Sequence, residues 1–185
     1  MRRIVLLPAE LDVKLDDLAA IEDETNGILL YRRQGGDNEK YCPLVAIYMT
    51  AKGTSGHVQA KPQRIEVVNE FFQRHPDFHH VKFHTHSRGT IRRFGEYLAV
   101  HFSGGDINSY KEQLVHDPSF IGMLVTPRVK LLHAPDNPVL RVVDSYPEDL
   151  GMQISEEMGA IAQEKGFDLL LLQAKEENNP KYPAR

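Results

Sequence analysis

The chain has 185 residues, a hydrophobic fraction of 41%, a charged fraction of 26% and a formal net charge of -4. This length suits one domain with a substantial core, and the balanced composition excludes a fibrous or wholly disordered protein. The net negative charge disfavours nucleic acid as a partner, because nonspecific binding to it requires a broad positive face. The single cysteine, Cys42, excludes an internal disulfide and a multi-thiolate site, so a bound metal would need histidine and carboxylate ligands.

The apolar segments are too short to cross a membrane or to direct secretion. One of the longest, Phe167 to Leu172, is far below the roughly 18 residues that a membrane-spanning helix needs. The N-terminal run Ile4 to Leu7 is too short for the apolar part of a signal peptide. We therefore expect a cytoplasmic protein with no membrane contact, and the sequence leaves open whether it forms a homo-oligomer.

Runs of β-favouring residues bounded by turn residues predict seven strands. They are Ile4 to Leu7, Gly27 to Tyr31, Pro43 to Met49, Val81 to His86, Phe120 to Val125, Val129 to Leu132 and Val139 to Val143. The turn sequence Gln34 to Asn38 predicts that the second and third strands form a hairpin. Pro127 and the segment Pro135 to Pro138 separate the last three strands and predict a meander.

Apolar residues at helical spacing predict four amphipathic helices. Their apolar faces are Leu11, Leu15 and Leu18; Ile65, Val68, Phe71 and Phe72; Ile107, Tyr110 and Leu114; and Leu150, Ile154, Met158 and Ile161. Pro62 is expected to begin the second helix and the pair His75 and Pro76 to end it. Ser87 to Phe102 shows no clear period and is interpreted as a loop. Phe167 to Leu172 would continue as strand or helix, and residues 174–185 form a polar, flexible tail.

Two histidines on the Val81 to His86 strand are candidate metal ligands. Because side chains alternate along a strand, His84 and His86 share one face. Asp106 lies at the start of a predicted helix, and strand ends and helix starts are where folds gather ligands. Two imidazoles and one carboxylate give zinc three ligands and an open fourth position, the arrangement of a catalytic site. Glu24, before the second strand, is a candidate for the base that amide hydrolysis requires.

Each of these residues also has a simpler interpretation. With nine histidines in the chain, one H-x-H pair arises easily by chance, and Ser103 with Asp106 forms a helix capping box. Glu24 lies in an acidic run that is typical of a protein surface. His79, His80 and His101 are interpreted as surface residues or as supports for the site, and Tyr110 as core.

Three elements in chain order match one pattern, E-x-x-G-hydrophobic, H-x-H and S-x-x-D, with Glu24 to Leu30, His84 to His86 and Ser103 to Asp106. This pattern resembles that of the JAMM/MPN+ (JAB domain) zinc metallopeptidases over roughly Ile4 to Val143. The resemblance implies one zinc ion per chain. It also implies a JAB/MPN domain over residues 1–173.

The same resemblance implies a role for each matched residue. His84, His86 and Asp106 would bind the zinc ion. Glu24 would be the general base and acid, and Ser103 would help to hold the oxyanion formed from the scissile carbonyl.

The resemblance also implies a fold and a reaction. The fold is α/β, a mixed, curved sheet flanked by helices and similar to the cytidine-deaminase-like fold. The reaction is hydrolysis of the isopeptide or peptide bond after the C-terminal glycine of a ubiquitin-like or sulfur-carrier protein, which would be the partner and substrate. Two alternatives stay open: a noncatalytic MPN scaffold, and a metal-dependent phosphoesterase.

The chain departs from the family pattern between the second histidine and the aspartate. Ser87 stands where the family usually has proline, and nineteen residues separate His86 from Asp106, more than is usual. A loop can lengthen at little entropic cost without moving its ends. Because the extra residues join two ligand-bearing elements, we expect either a gate over the site or a passive surface excursion. The loop is basic, which suits an acidic partner or solvated surface charge.

Overall fold

A seven-stranded mixed sheet forms the centre of the structure, a computed structural model that describes residues 2–33, 40–53, 60–144 and 148–167. The strands are β1 (Ile4–Pro8), β2 (Thr25–Arg32), β3 (Tyr41–Lys52), β4 (Phe78–Thr85), β5 (Ile121–Val125), β6 (Lys130–His133) and β7 (Val139–Val143). Their order across the sheet is β6-β5-β4-β2-β3-β1-β7. The sheet is curved and nearly closed, because its two edge strands approach each other.

Six helices lie in the described part of the chain. They are α1 (Ala9–Ala20), α2 (Pro62–Arg74), α3 (Arg88–Phe94), α4 (Glu96–Ala99), α5 (Gly104–His116) and α6 (Glu148–Glu164). Four of them confirm the helices predicted from apolar spacing. The prediction of a loop at Ser87 to Phe102 is wrong, because α3 and α4 occupy most of that segment.

The helices cover both faces of the sheet, as predicted. On one face, α1 packs Leu11 and Leu15 against strand residues such as Leu29 and Phe83. On the other face, α2 and α6 pack an equally apolar cluster against β2 and β3. The sheet therefore carries a core on each side, and its stability comes from apolar burial on both faces.

The directions of the strands bring three chain segments together at the carboxyl ends of β4 and β5. β4 and β5 are parallel, and α5 lies in the connection between them. β2 is antiparallel to β4, so the start of β2 lies beside the end of β4. In sheets of this kind, ligands bind beyond the carboxyl ends of parallel strands, where the connecting helices begin. The residues before β2, after β4 and at the start of α5 therefore lie near one another at these strand ends.

The predicted meander of the last three strands is wrong in part. β5 and β6 form the antiparallel pair expected, but β7 pairs in parallel with β1 at the opposite edge of the sheet. The side chain of Arg3 makes a two-pronged ion pair with Asp136, with nitrogen to oxygen distances of 2.7 and 2.9 Å, and Val139 donates its backbone N–H to Arg3. These contacts hold β7 beside β1. The proline-rich segment predicts a turn, but it carries no information about which edge the next strand joins.

Some predictions fall outside the described residues. These are the hairpin turn Gln34 to Asn38, the continuation after Phe167 and the polar tail at 174–185. The hairpin itself is confirmed by the antiparallel pairing of β2 with β3. None of the helices in the described ranges is long and apolar enough to cross a bilayer.

Candidate metal centre

His84 and His86 lie at the carboxyl end of β4, on the face opposite to Phe83. His84 pairs with Asn26 of β2 and Leu124 of β5, and His86 continues the ladder through a backbone hydrogen bond to Val125. Both imidazoles are buried, with exposed fractions of 9% and 7%. The strand fixes their backbones from both sides, so the two rings have little freedom to separate.

Asp106 reaches the histidines from the first turn of α5. Its Oδ1 lies 3.2 Å from His84 Nε2 and its Oδ2 lies 3.6 Å from His86 Nε2. One ligand atom from each of the three residues lies within 4.8 Å of the others. Two ligands about 2.0 Å from a tetrahedral zinc ion stand roughly 3.3 Å apart, which is close to these separations.

The hydrogen bonds of the outer ring nitrogens turn the inner nitrogens toward the carboxylate. His86 Nδ1 lies 2.8 Å from the carbonyl oxygen of Ala99, which accepts a hydrogen bond but cannot donate one. A neutral His86 therefore carries its lone pair at Nε2, facing Asp106. His84 Nε2 is buried and has no hydrogen-bond partner in the described structure. Lone pairs that face a carboxylate repel it unless a cation, either a proton or a metal ion, lies between them.

Asp106 is held in its ionised form. Burial alone would raise the pKa of this carboxyl group, but the positive charge that His84 and His86 carry when protonated holds the pKa well below its ordinary value. The same side chain accepts a hydrogen bond from the backbone N–H of Ser103 at 2.6 Å. An anionic carboxylate of this kind is suited to binding a cation.

Tyr110 orients His84 from one turn further along α5. Its hydroxyl lies 3.0 Å from His84 Nδ1, and its ring is buried against β5. Gly122 of β5 makes room for this ring, since a Cβ atom at that position would approach the ring atoms to between 2.4 and 2.8 Å. Partners of this kind fix the ring orientation of a metal-binding histidine.

Glu24 lies in the same cavity and is buried, with an exposed fraction of 5%. Its backbone carbonyl accepts from Gly53 N–H, and the next residue, Thr25, donates its N–H to Thr85 Oγ1. The Thr90 hydroxyl donates to Glu24 Oε1 at 2.8 Å. Burial raises the pKa of the Glu24 carboxyl, although the Thr90 hydrogen bond acts in the opposite direction.

The segment between His86 and Asp106 is attached at its beginning to the residues that precede β2. Ser87 Oγ donates to the carbonyl of Glu22 at 2.6 Å, and Arg88 N–H donates to the carbonyl of Ile21. Ser87 also accepts a hydrogen bond from Thr90 N–H and so caps α3. Further along the segment, Phe94 and Leu98 are exposed and line the cavity.

Ser103 begins α5, and both interpretations of its sequence pattern have support. Its Oγ accepts from Asp106 N–H at 3.1 Å, and Asp106 in turn accepts from Ser103 N–H, so the predicted capping box is present. Ser103 also lines the cavity. Its hydroxyl hydrogen has no acceptor within the described ranges, and it is free to donate to a bound molecule.

The cavity that these residues line has a volume of about 800 Å³. His84, His86, Asp106, Glu24 and Ser103 all contribute to its wall, so the five residues singled out from the sequence meet in one place. His101 also lines it, but its Nδ1 donates to the carbonyl of Tyr97 and it is not one of the three clustered ligands. His79 and His80 lie near the other end of β4, against Tyr31 and Phe72.

Sequence reasoning missed two residues that support the site. Tyr110 was assigned to the core, and it is buried, but its contact with His84 was not expected. Its position four residues after Asp106 is a usable signal, since residues at that spacing share a helix face. Thr90 gave no signal, because its contact with Glu24 joins residues 66 apart in the chain.

Comparisons with known proteins add little to this description. No protein-family model matches the chain, and no curated protein matches it. Among solved structures, the chain is similar to the solution structure of the protein DSY2949 from Desulfitobacterium hafniense. The two are 15% identical with a TM-score of 0.49, and the match covers 77% of this chain and 94% of that chain. Similarity at this level carries no argument about function.

Proposed function

We propose that this protein is a zinc-dependent peptidase of the JAMM/MPN+ type with a JAB/MPN fold. The observation that carries the proposal is the meeting of His84, His86 and Asp106 within 4.8 Å, with Glu24 in the same cavity. The sequence pattern that resembles the family supplies these same residues in the same order. The mixed, curved sheet with helices on both faces is compatible with such a fold.

The donor set suits one zinc ion. Two imidazole nitrogens and a carboxylate are ligands that zinc prefers, and three protein ligands leave a position for water or substrate. The buried, unpartnered His84 Nε2 is accounted for if it faces a metal. When bound, zinc supplies a Lewis acid and lowers the pKa of a water molecule to about 7.

The residues around the ligands provide what remains of amide hydrolysis. Glu24 is anchored through Oε1 by Thr90, so Oε2 is available to take a proton from water and to give it to the departing amine. Its raised pKa suits a group that must do both near neutral pH. The free hydroxyl hydrogen of Ser103 can donate to the carbonyl oxygen as negative charge develops there.

The proposed substrate is the C-terminal tail of a ubiquitin-like or sulfur-carrier protein, cleaved after its last glycine. This substrate follows from the family resemblance, and the open cavity at the carboxyl ends of the strands has room for an extended tail. The exposed side chains of Phe94 and Leu98 line the cavity and are positioned to contact the folded part of such a protein.

The alternatives predict different metal contents. A noncatalytic scaffold would bind no metal at this site. A phosphoesterase would usually bind two or three metal ions, whereas the described residues contain a single group of three or more clustered metal-ligand side chains. This observation favours the one-zinc proposal.

Elemental analysis of the purified, zinc-loaded protein tests the metal centre. We expect one zinc ion per chain in the wild type and almost none in His84→Ala or Asp106→Asn. His101→Ala is the matched control, because His101 lines the cavity without joining the ligand cluster, and it should retain zinc. Absence of zinc from the wild type, or equal loss in the control, would refute the proposed centre.

A further inference from the structure

Lys82 lies on the cavity side of β4, two residues before His84. Because side chains alternate along a strand, its side chain shares a face with His84, and it lines the same cavity. Asn26 of β2, which pairs with His84, lines the cavity as well. The proposed peptidase chemistry uses neither Lys82 nor Asn26.

Lys82 has no carboxylate partner among the residues that the structure describes. The partly buried Lys130, by contrast, is paired with Asp12 and Asp16. An ammonium group that is partly removed from water without a counter-ion lowers stability. A side chain of this kind in a cavity wall indicates that its counter-ion arrives with a ligand.

We propose that Lys82 binds a carboxylate group of the substrate. This inference rests on the proposed peptidase function and narrows its substrate class. Strand geometry places the backbones of Lys82 and His84 about 6.6 Å apart, and an extended peptide spans a similar distance in about two residues. The carboxylate is therefore held in the same cavity as the bond that is cleaved and close to it in the substrate sequence.

Asn26 provides a second donor for the same group. Its side-chain oxygen accepts a hydrogen bond from Thr50 Oγ1 at 3.4 Å, which leaves its NH₂ group to donate into the cavity. An ammonium and an amide donor together match the two oxygens of a carboxylate. Two sources supply this chemistry: the terminal α-carboxylate of a leaving residue, or an acidic side chain near the scissile bond.

Binding of short peptides distinguishes these sources. The probes are N-acetyl-Gly-Gly-Ala with a free carboxylate, the same peptide as its C-terminal amide, and N-acetyl-Gly-Gly-Glu amide. Affinities would be measured by NMR titration with metal-free wild type and with zinc-loaded Glu24→Gln, in which the proposed turnover is blocked. We expect one carboxylate probe to bind at least about tenfold more tightly than the neutral amide, as a charge-assisted hydrogen bond predicts. The free-carboxylate peptide identifies a terminal carboxylate, and the Glu peptide identifies an acidic side chain.

Variants assign the preference to Lys82. Lys82→Met should abolish it in both forms of the protein, and Lys82→Arg should retain part of it. Lys111→Met removes the same charge from an exposed position on α5 and should leave the preference intact. Thermal unfolding of each variant confirms that it is folded. A preference that persists in Lys82→Met, or no preference in the wild type, overturns the inference.

The zinc content of the same samples separates the two proposals. A Lys82-dependent preference in a protein that binds no zinc would remove the peptidase proposal and leave the carboxylate site. One zinc ion per chain with no role for Lys82 would do the reverse.

Discussion

The Thr90 hydroxyl holds Glu24 through a hydrogen bond. Because Thr90 is not one of the clustered metal-ligand side chains, its replacement should change the reaction rate without removing the metal. We expect Thr90→Val to keep zinc but to lower kcat by about 10- to 100-fold with little change in KM, the cost of one hydrogen bond to a charged group. The hydrogen bond lowers the pKa of Glu24, so its loss should also move the acidic limb of the kcat/KM profile to higher pH. Steady-state kinetics on a Gly-Gly fusion across pH measure both effects. Thr90→Ser is the control and should behave as wild type; equal impairment of the two variants would assign Thr90 a packing role.

Tyr110 holds the ring of His84, so its hydroxyl should affect zinc affinity more than folding. Loss of a group that orients a metal ligand typically weakens metal binding by about 10- to 100-fold. We expect that loss in Tyr110→Phe, which keeps the buried ring, with an almost unchanged melting temperature of the metal-free protein. Competition with a zinc chelator measures the affinity. Tyr97→Phe changes an exposed tyrosine on α4 and should have no effect; a normal affinity in Tyr110→Phe would show that the hydroxyl is dispensable.

At the residue scale, sequence reasoning found the side chains whose pattern is local. His84 and His86 are two residues apart on a strand, and Ser103 and Asp106 form a capping box, so short-range geometry predicts their relation. Thr90 carries no such pattern, and strand alternation places Lys82 beside His84 without showing that Lys82 lacks a carboxylate partner among the described residues. The surroundings of Thr90 and Lys82 depend on which distant segments the fold brings beside them, and a local sequence pattern does not predict this.

Gly122 links strand β5 to the candidate metal centre through Tyr110. A methyl group there would press on the Tyr110 ring, so the helix that carries both Tyr110 and Asp106 must shift. We expect Gly122→Ala to lower both zinc affinity and stability, the latter by about 1–3 kcal/mol as for other overpacked cores. Chelator competition and urea unfolding measure the two quantities.

Gly159 of α6 provides the matched control for Gly122. A Cβ atom there meets nothing within 4 Å, and alanine is the better helix residue. Gly159→Ala should therefore raise stability by about 0.5–1 kcal/mol and leave zinc affinity unchanged. Unaltered zinc binding in Gly122→Ala would show that α5 absorbs the change without moving its ligand.

At the element scale, the four long helices were predictable and the two short ones were not. α3 has seven residues and α4 has four, which is too few for an apolar period to emerge. Gly95 separates them with a φ of 84°, a left-handed conformation that favours glycine. The signals for α3 were a serine cap and a terminal glycine, and those residues are equally common in loops.

The whole molecule should be sensitive to mild acid through His80. Burial lowers the pKa of His80 to about 4, compared with about 6.5 in an unfolded chain. The unfolded state then binds more protons than the native state between these values, so the stability present above pH 6.5 declines as pH falls toward 4. We expect His80→Leu to lose less stability than the wild type between pH 7 and pH 5.

Urea unfolding at the two pH values, with a chelator present to remove any contribution from zinc, measures this difference. His116→Gln replaces an exposed histidine of α5 and should decline as the wild type does. If His80→Leu declines equally, other groups are responsible for the acid sensitivity.

At the scale of the whole chain, the fold class was predictable and the strand order was not. The family resemblance implies an α/β domain with helices on both faces of the sheet, and the two core clusters confirm helices on both faces. The position of β7 beside β1 depends on Arg3 and Asp136, which are 133 residues apart. An ion pair between residues so far apart in the chain produces no periodic pattern in the sequence.

In the proposed reaction, Glu24 moves protons during a zinc-dependent cleavage after a terminal glycine. The rate at which zinc-loaded protein cleaves ubiquitin-like fusions at a Gly-Gly junction tests this role. The rates of the wild type and of Glu24→Gln are compared. We expect the wild type to cleave at least one fusion and a chelator to stop the cleavage. Glu24→Gln should retain one zinc ion per chain but cleave at least about 100-fold more slowly, because an amide cannot shuttle a proton. Equal rates in the two proteins, or no cleavage of any fusion by the zinc-loaded wild type, would contradict this role.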